Sequence, residues 1–144
     1  MKRADPKEIL LSGEYTCVLV AGEQIFSSRQ RGVKPLVQFL QQGCIPPQAH
    51  AADKVVGKAT AYLYVLLQVR ALYAQVISKP ALAVLQNHGI FVQYRTLTEN
   101  IINRTGDGIC PFEQAVLEVC DPQSAYHAIL QKMDAMHITL EDTP

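Results

Sequence analysis

The chain has 144 residues, with 13 Lys and Arg against 13 Asp and Glu, so its formal net charge is zero. This length can bury one full hydrophobic core, and we expect a single domain over residues 1–144 that needs neither disulfide nor metal to fold. The balanced charge favours neither a nucleic-acid partner nor a membrane partner. The 4 cysteines form no C-x-x-C pair and follow no signal peptide, which is typical of reduced thiols in a cytoplasmic protein.

Two kinds of signal divide the chain into elements. Runs of β-forming residues mark strands, whereas Pro, Gly or a short polar residue at a fixed offset marks the ends of helices. Up to residue 43 these signals predict, in chain order, a helix over 5–13, a hairpin of strands 15–20 and 24–28, and a helix over 36–40 that ends at Gly43.

Residues 53–72 form the stretch around which the rest of the chain is expected to fold. Drawn as a helix, this stretch is apolar on nearly all sides, which is typical of a helix buried on most of its circumference. It is too short and too interrupted by polar residues to span a bilayer. Asp53 is the expected N-cap, and Lys54 and Lys58 follow it in the first turn.

The second half of the chain alternates between strand and helix signals. In chain order these predict a strand over 73–77, a helix that begins at 78–80 and ends at 88–89, and strands over 90–94 and 100–104. A helix over 110–119 and a last helix over 123–136 follow. With the earlier elements, they predict a three-layer α/β/α sandwich around a mixed sheet of about five strands.

Four runs in the sequence, residues 31–36, 52–59, 78–81 and 103–113, resemble a known family. It is a small family of uncharacterised prokaryotic proteins that is placed by fold in the cytidine-deaminase-like superfamily. The resemblance extends from about residue 11 to the last helix. It implies the fold of that superfamily and no assigned activity.

Membership of that superfamily also implies zinc chemistry, which the residues themselves do not support. A zinc deaminase needs a His or Cys with a Glu two residues on, and P-C-x-x-C at the start of the next helix. His50 and Asp53 imitate the first motif with one residue too many and the wrong acid. Ala81 and Val84 stand where the two cysteines are required, and neither can bind zinc. We therefore expect no zinc site and no cofactor.

The first candidate site is the start of the central helix. Free backbone N–H groups, a close approach at Gly57, and Lys54 and Lys58 nearby would together suit a phosphate or another anion. The alternative is structural: Asp53 caps the helix, Gly57 packs against a strand and the lysines are solvated.

The second candidate site lies around the helix that begins at Cys110. A thiol at a helix start is favoured as thiolate, and Arg104 beside it would favour the thiolate further, with Asn103 as a polar neighbour. Cys110 would then be a nucleophile with Asp53 or Glu113 as its acid–base partner. The alternative is a capping box, in which Glu113 reaches back to the backbone N–H of Cys110.

Three functions remain open at this point. The chain could bind a nucleotide or related phosphate compound through Asp53, Lys54, Gly57, Lys58, Asn103 and Arg104. It could instead be a metal-independent enzyme that uses Cys110, or a non-catalytic interaction module that forms homo-oligomers. We favour the binding function, because in three-layer α/β domains clefts form where strands end and helices begin.

Overall fold

The computed structural model describes residues 4–30, 32–101, 108 and 110–139. Within these ranges the helices are α1 (Pro6–Ser12), α2 (Lys34–Gln42), α3 (Lys58–Leu66), α4 (Lys79–Asn87), α5 (Pro111–Ala115) and α6 (Pro122–Ala135). The strands are β1 (Cys17–Ala21), β2 (Gln24–Ser28), β3 (His50–Val56), β4 (Ala71–Ser78) and β5 (Phe91–Thr98).

The strands form one mixed sheet in the order β2-β1-β3-β4-β5. Strand β1 is antiparallel to both β2 and β3, whereas β3, β4 and β5 are parallel. Helices α3 and α4 are the crossovers between the parallel strands, so both helices begin at the edge where β3 and β4 end. This edge is the one at which ligand clefts form in open α/β sheets.

Helices cover both faces of the sheet. On one face Leu10 of α1 packs against Val18, Val20, Ala52 and Tyr73. On the other face a larger core gathers buried side chains from α2, α3, α4, α5 and α6 against the sheet. The prediction of an α/β fold with a mixed five-stranded sheet flanked by helices is therefore confirmed.

Three of the predicted helices begin with the capping residues that the sequence indicates. The side chains of Asp5, Ser78 and Asp121 each accept a hydrogen bond from a backbone N–H in the first turn of α1, α4 and α6, respectively. Each of these caps satisfies one of the donors that a helix start leaves unpaired. Helix α2 ends, as predicted, at Gly43, which has a φ of 62° and closes the helix in the left-handed conformation.

The predicted start of the central helix is wrong. Residues 50–56 form β3, Gly57 is the N-cap, and α3 runs only from Lys58 to Leu66. Asp53 and Lys54 therefore belong to a strand, and Asp53 lies between Cys17 of β1 and Ala74 of β4. A central strand that is hydrogen-bonded on both sides is decided by its two neighbours, and a local pattern of apolar residues does not reveal those neighbours.

Two later elements also differ in extent from the prediction. Helix α5 ends at Ala115 rather than at residue 119, and residues 116–118 form turns. Strand β5 continues to Thr98, beyond the predicted end at residue 94. In the predicted strand over 100–104, Asn100 and Ile101 are not in a strand, and residues 102–104 lie outside the described residues.

No helix in the described part of the chain has the length and apolar character needed to cross a membrane.

Candidate functional site

A cavity of about 340 Å³ opens beyond the carboxyl end of β3, beside the starts of α3 and α5. Its walls are mainly apolar, and the polar side chains that line it belong to Thr16, Asp53, Lys54, Thr60 and Glu113. The thiol-bearing residues Cys17 and Cys110 line it as well. Residues that the sequence assigns to two separate candidate sites therefore surround one cavity.

Glu113 of α5 is bound to the start of α3. Its Oε1 accepts a hydrogen bond of 2.8 Å from the backbone N–H of Lys58, and its Oε2 accepts one of 2.9 Å from the backbone N–H of Ala59. Glu113 is only 8% exposed, and its negative charge complements the positive end of the α3 dipole. The capping box in which Glu113 bonds to Cys110 does not form, because both carboxylate oxygens are directed at α3.

Gly57 makes this contact feasible. A Cβ atom at position 57 would lie 2.5 Å from the carboxyl carbon of Glu113 and 2.6 Å from each of its oxygens. Gly57 therefore permits the close approach of a carboxylate from the same chain, and the approach of a ligand anion there stays a prediction.

Lys58 does not line the cavity. Its ammonium group donates a hydrogen bond of 3.1 Å to the backbone oxygen of Leu117, just beyond the end of α5. The hydroxyl of Tyr62, one turn along α3, donates to the backbone oxygen of Val119 at 3.1 Å. Together with the Glu113 contact, these bonds fasten the segment from α5 to residue 119 onto α3. Lys58 thus has a structural contact, and its contact with a ligand stays a prediction.

Asp53 is the other buried carboxyl group at the cavity. Its Oδ1 accepts a hydrogen bond of 3.1 Å from the backbone N–H of Val55, and its Oδ2 accepts one of 2.6 Å from the hydroxyl of Tyr64 in α3. Burial raises the pKa of Asp53 to about 7, and the hydrogen bond from Tyr64 opposes that rise. A carboxyl group in this state can accept or donate a proton near neutral pH.

The pKa values of two neighbours of Asp53 are raised as well. Burial raises the pKa of Tyr64 well above its ordinary value, and the charge of Asp53 raises it further. Burial and then Asp53 likewise raise the pKa of the Cys17 thiol, which pairs with Asp53 across the sheet. Both groups therefore remain protonated at neutral pH, and Asp53 is the member of this cluster that titrates.

Cys110 is half-buried and is the N-cap of α5. Its backbone N–H donates to the backbone oxygen of Ile101 at 3.0 Å. Cys110 lies on the cavity wall together with Asp53 and Glu113, the two residues proposed as its acid–base partners. Asn103 and Arg104, the other members of that predicted site, lie outside the described residues.

His50 does not share a cleft with α3. It is the first residue of β3, at the edge of the sheet opposite to the cavity. Ala81 and Val84, which stand at the cysteine positions of the zinc motif, are buried in α4. Within the described residues no group of three or more His, Cys, Asp or Glu side chains is arranged to hold a metal ion. The residues present do not fit a zinc centre.

Sequence reasoning missed Thr16, Cys17, Thr60 and Phe112 as wall residues. Cys17 is 2% exposed and also belongs to the core. Its place beside Asp53 follows from the register of β1 on β3, which no local signal in the sequence indicates.

The architecture and the cavity define an α/β domain with a mixed five-stranded sheet and a mainly apolar pocket at the carboxyl end of its central strand. The chain belongs to the family described as domain of unknown function DUF1893, which matches residues 6–133. It is similar to a DUF1893 family protein from Thermotoga maritima whose crystal structure is known. The two are 30% identical with a TM-score of 0.81, over 88% of this chain and 86% of that chain. No curated protein matches the chain.

Proposed function

We propose that this chain binds a nucleoside or nucleotide in the cavity, with N–H groups of the ligand donating to Asp53. The observation that carries the proposal is a carboxyl group, 8% exposed, on the wall of a mainly apolar cavity. A carboxylate offers about four acceptor positions, and Val55 and Tyr64 occupy two of those on Asp53. The remaining positions suit the adjacent amino and ring N–H groups of a base.

A phosphate at the start of α3 fits less well than the sequence suggests. The backbone N–H groups of Lys58 and Ala59 already donate to Glu113, so they are not available to a second anion. Glu113 and an ionised Asp53 would also repel a phosphate placed between them. We therefore assign the base or nucleoside part of the ligand to the cavity and expect any phosphate at Lys54.

The size and surface of the cavity agree with such a ligand. Its volume of about 340 Å³ lies near the lower end of the range of roughly 300–1,000 Å³ that is usual for small-molecule sites. Val33, Pro35 and Phe112 supply apolar wall surface against which a flat ring can pack. These features favour a single base or nucleoside over a dinucleotide.

The resemblance to the cytidine-deaminase-like superfamily supports the same class of ligand. A sheet with helices on both faces is compatible with that fold, and we infer the superfamily relationship from this and from the sequence resemblance. Zinc-dependent deamination is no part of the proposal, because Ala81 and Val84 replace the required thiolates.

A thermal-shift and calorimetric panel of nucleobases, nucleosides and nucleotides tests the proposal. We expect at least one compound to raise Tm and to bind saturably, with Asp53→Asn reducing the affinity by about tenfold or more. Asp134→Asn is the matched control, because Asp134 lies exposed on α6, and it should bind as the original chain does. A panel without any saturable ligand, or normal binding by Asp53→Asn, contradicts the proposal.

A metal-independent enzyme that uses Cys110 is the second candidate. The observation in its favour is that Cys110 and Asp53, the latter able to exchange a proton near neutral pH, line the same cavity. Iodoacetamide near pH 7 should then alkylate Cys110 faster than the exposed Cys44 and Cys120, and a bound ligand should slow the reaction. Equal reactivity of the three thiols contradicts a nucleophilic role.

A cytoplasmic location and self-association remain predictions.

A further inference from the structure

A second and larger cleft, of about 620 Å³, lies at the opposite edge of the sheet, where β3 and β4 begin. The start of α1 and the turn between β1 and β2 form one side of it, and the segment 46–50 forms the other. It shares no wall residue with the cavity at Asp53. Whatever binds in this cleft therefore does so separately from the ligand proposed above.

The cleft contains two basic side chains, Arg70 and His50, that have no partner within the described ranges 4–30, 32–101, 108 and 110–139. Arg70 makes no ion pair or side-chain hydrogen bond there, and its backbone alone is engaged, donating to Ala49 and accepting from Phe91. His50 lines the same cleft and has no side-chain hydrogen bond within those ranges. Arg70 is exposed and His50 is half-buried, and both line this one cleft. A guanidinium fork recognises carboxylate or phosphate groups, and an imidazole in the same cleft can add a hydrogen bond.

The opposite wall limits which compounds fit. Asp5 lines the cleft, and one of its oxygens already caps α1 by accepting from the backbone N–H of Lys7. Its charge disfavours a second anionic group on that side, so one anionic group at the Arg70 wall is the best match. Pro46 and Pro47 add a stiff apolar surface between these two ends.

A backbone hydrogen bond joins the two segments that lead into β3 and β4. The backbone N–H of Gln48, which lines the cleft, donates to the backbone oxygen of Gln68 at 2.8 Å. Gln48 has a φ of 68° and Gln68 a φ of 60°, which residues other than glycine seldom adopt. The bond therefore connects the segment before His50 to the segment before Arg70.

We propose that this cleft is a binding site for a small molecule with one carboxylate or phosphate group, which is held by the Arg70 guanidinium and the His50 ring. Hydrophobic contact with Pro46 and Pro47 would hold the remainder of the molecule. The proposal rests on the cleft and its side chains and does not depend on a ligand at Asp53.

Calorimetric titration of the full chain with inorganic phosphate, and separately with propionate, tests the site at an ionic strength held constant with chloride. We expect saturable binding of at least one of the two anions, and the tighter one identifies the group that the site prefers. Arg70→Ala should weaken the binding by about tenfold or more, because a charge-assisted hydrogen bond is lost. Arg95→Ala is the matched control, since Arg95 is exposed on β5 and lines neither cavity, and it should leave the affinity unchanged.

Amide chemical shifts locate the bound anion independently of the variants. The anion should perturb residues 46–50 and 68–71 and leave residues 53–60 unchanged. His50→Gln provides a second variant if Arg70→Ala does not fold, and it should also weaken the binding. The proposal is overturned if neither anion binds saturably, if the folded variants bind as the original chain does, or if the shifts map to the cavity at Asp53.

Discussion

Asp53 and Glu113 bring two carboxyl groups to the wall of one cavity, and each residue is 8% exposed. Glu113 receives two backbone N–H groups at the positive end of α3, an arrangement that stabilises a carboxylate. Asp53 lies within a strand and accepts from the backbone N–H of Val55 and the hydroxyl of Tyr64. Burial raises its pKa to about 7 and outweighs the lowering effect of Tyr64, Val55 and the backbone of Lys54. Two carboxyl groups of equal exposure therefore have different roles: Glu113 binds the start of α3, whereas Asp53 titrates near neutral pH.

The largest expected effect concerns the charge of Asp53. Its folded pKa of about 7 lies above the ordinary value of 3.8, so between these values the folded chain holds a proton that the unfolded chain has released. Holding this proton stabilises the folded chain by at most about 4 kcal/mol. The stabilisation is fully present below about pH 4 and is lost as the pH rises through about 7. Asp53→Asn should remove it, so the variant should gain stability relative to the original chain as the pH rises.

Urea denaturation of both chains between pH 4 and pH 8 measures this difference. Subtracting the two curves cancels the contributions of the other carboxyl groups. A difference that stays constant across the range would mean that the pKa of Asp53 is the same in the folded and unfolded chains.

Gly57→Ala should have the next largest effect. The new Cβ would displace the Glu113 carboxyl, which lies 2.5 Å from its position, and we expect a loss of about 3 kcal/mol from overpacking and from the lost cap. Chemical denaturation measures the loss. In a Glu113→Ala background the same substitution should cost far less, because the clash is absent. Additive effects in this double-mutant cycle would contradict the contact.

Glu113→Gln should cost about 2 kcal/mol, since an amide can satisfy only one of the two N–H groups of α3 and loses the charge. Glu118→Gln, at an exposed position beyond α5, is the control and should change the stability little. Thermal denaturation of both variants makes the comparison. Equal effects at the two positions would show that the bonds of Glu113 add nothing.

Tyr64→Phe should have the smallest effect, about 1 kcal/mol above pH 7, where it removes a hydrogen bond to ionised Asp53. The lost bond favours the carboxylate, so the variant should also raise the pKa of Asp53 above about 7. The carbon-13 chemical shift of the Asp53 carboxyl, followed through a pH titration, reports this change. Tyr94→Phe, on the exposed part of β5, should leave the titration unchanged.

The sequence predicts those parts of the fold that are determined locally. Asp5, Ser78 and Asp121 cap helices through bonds that span two or three residues. The local sequence is therefore sufficient to predict these helix starts. Strand β3 depends instead on pairing with β1 and β4, and its first residues, His50 to Asp53, lack the β-branched side chains that indicate a strand.

The candidate site likewise has features that the local sequence predicts and features that depend on contacts between distant residues. Asp53, Gly57, Cys110 and Glu113 were selected as polar or small residues near expected helix starts, and they line one cavity even though the start of the central helix was misplaced. The bond from Lys58 to Glu113 joins residues 55 positions apart, so no local pattern indicates it. The sequence therefore predicts an external anion at the N–H groups of this helix start and does not reveal that Glu113 binds them.

The contact between Glu113 and α3 also has a consequence for how the chain is made. Synthesis proceeds from the N-terminus, so all five strands have emerged from the ribosome before the residue that completes the start of the central helix. Until then the N–H groups of Lys58 and Ala59 have only water as a partner, and the apolar face of α3 that receives α5 and α6 is uncovered. A fragment of the chain that ends near residue 100 would thus contain β1 to β5 and leave that apolar face of α3 exposed to water, where it favours aggregation.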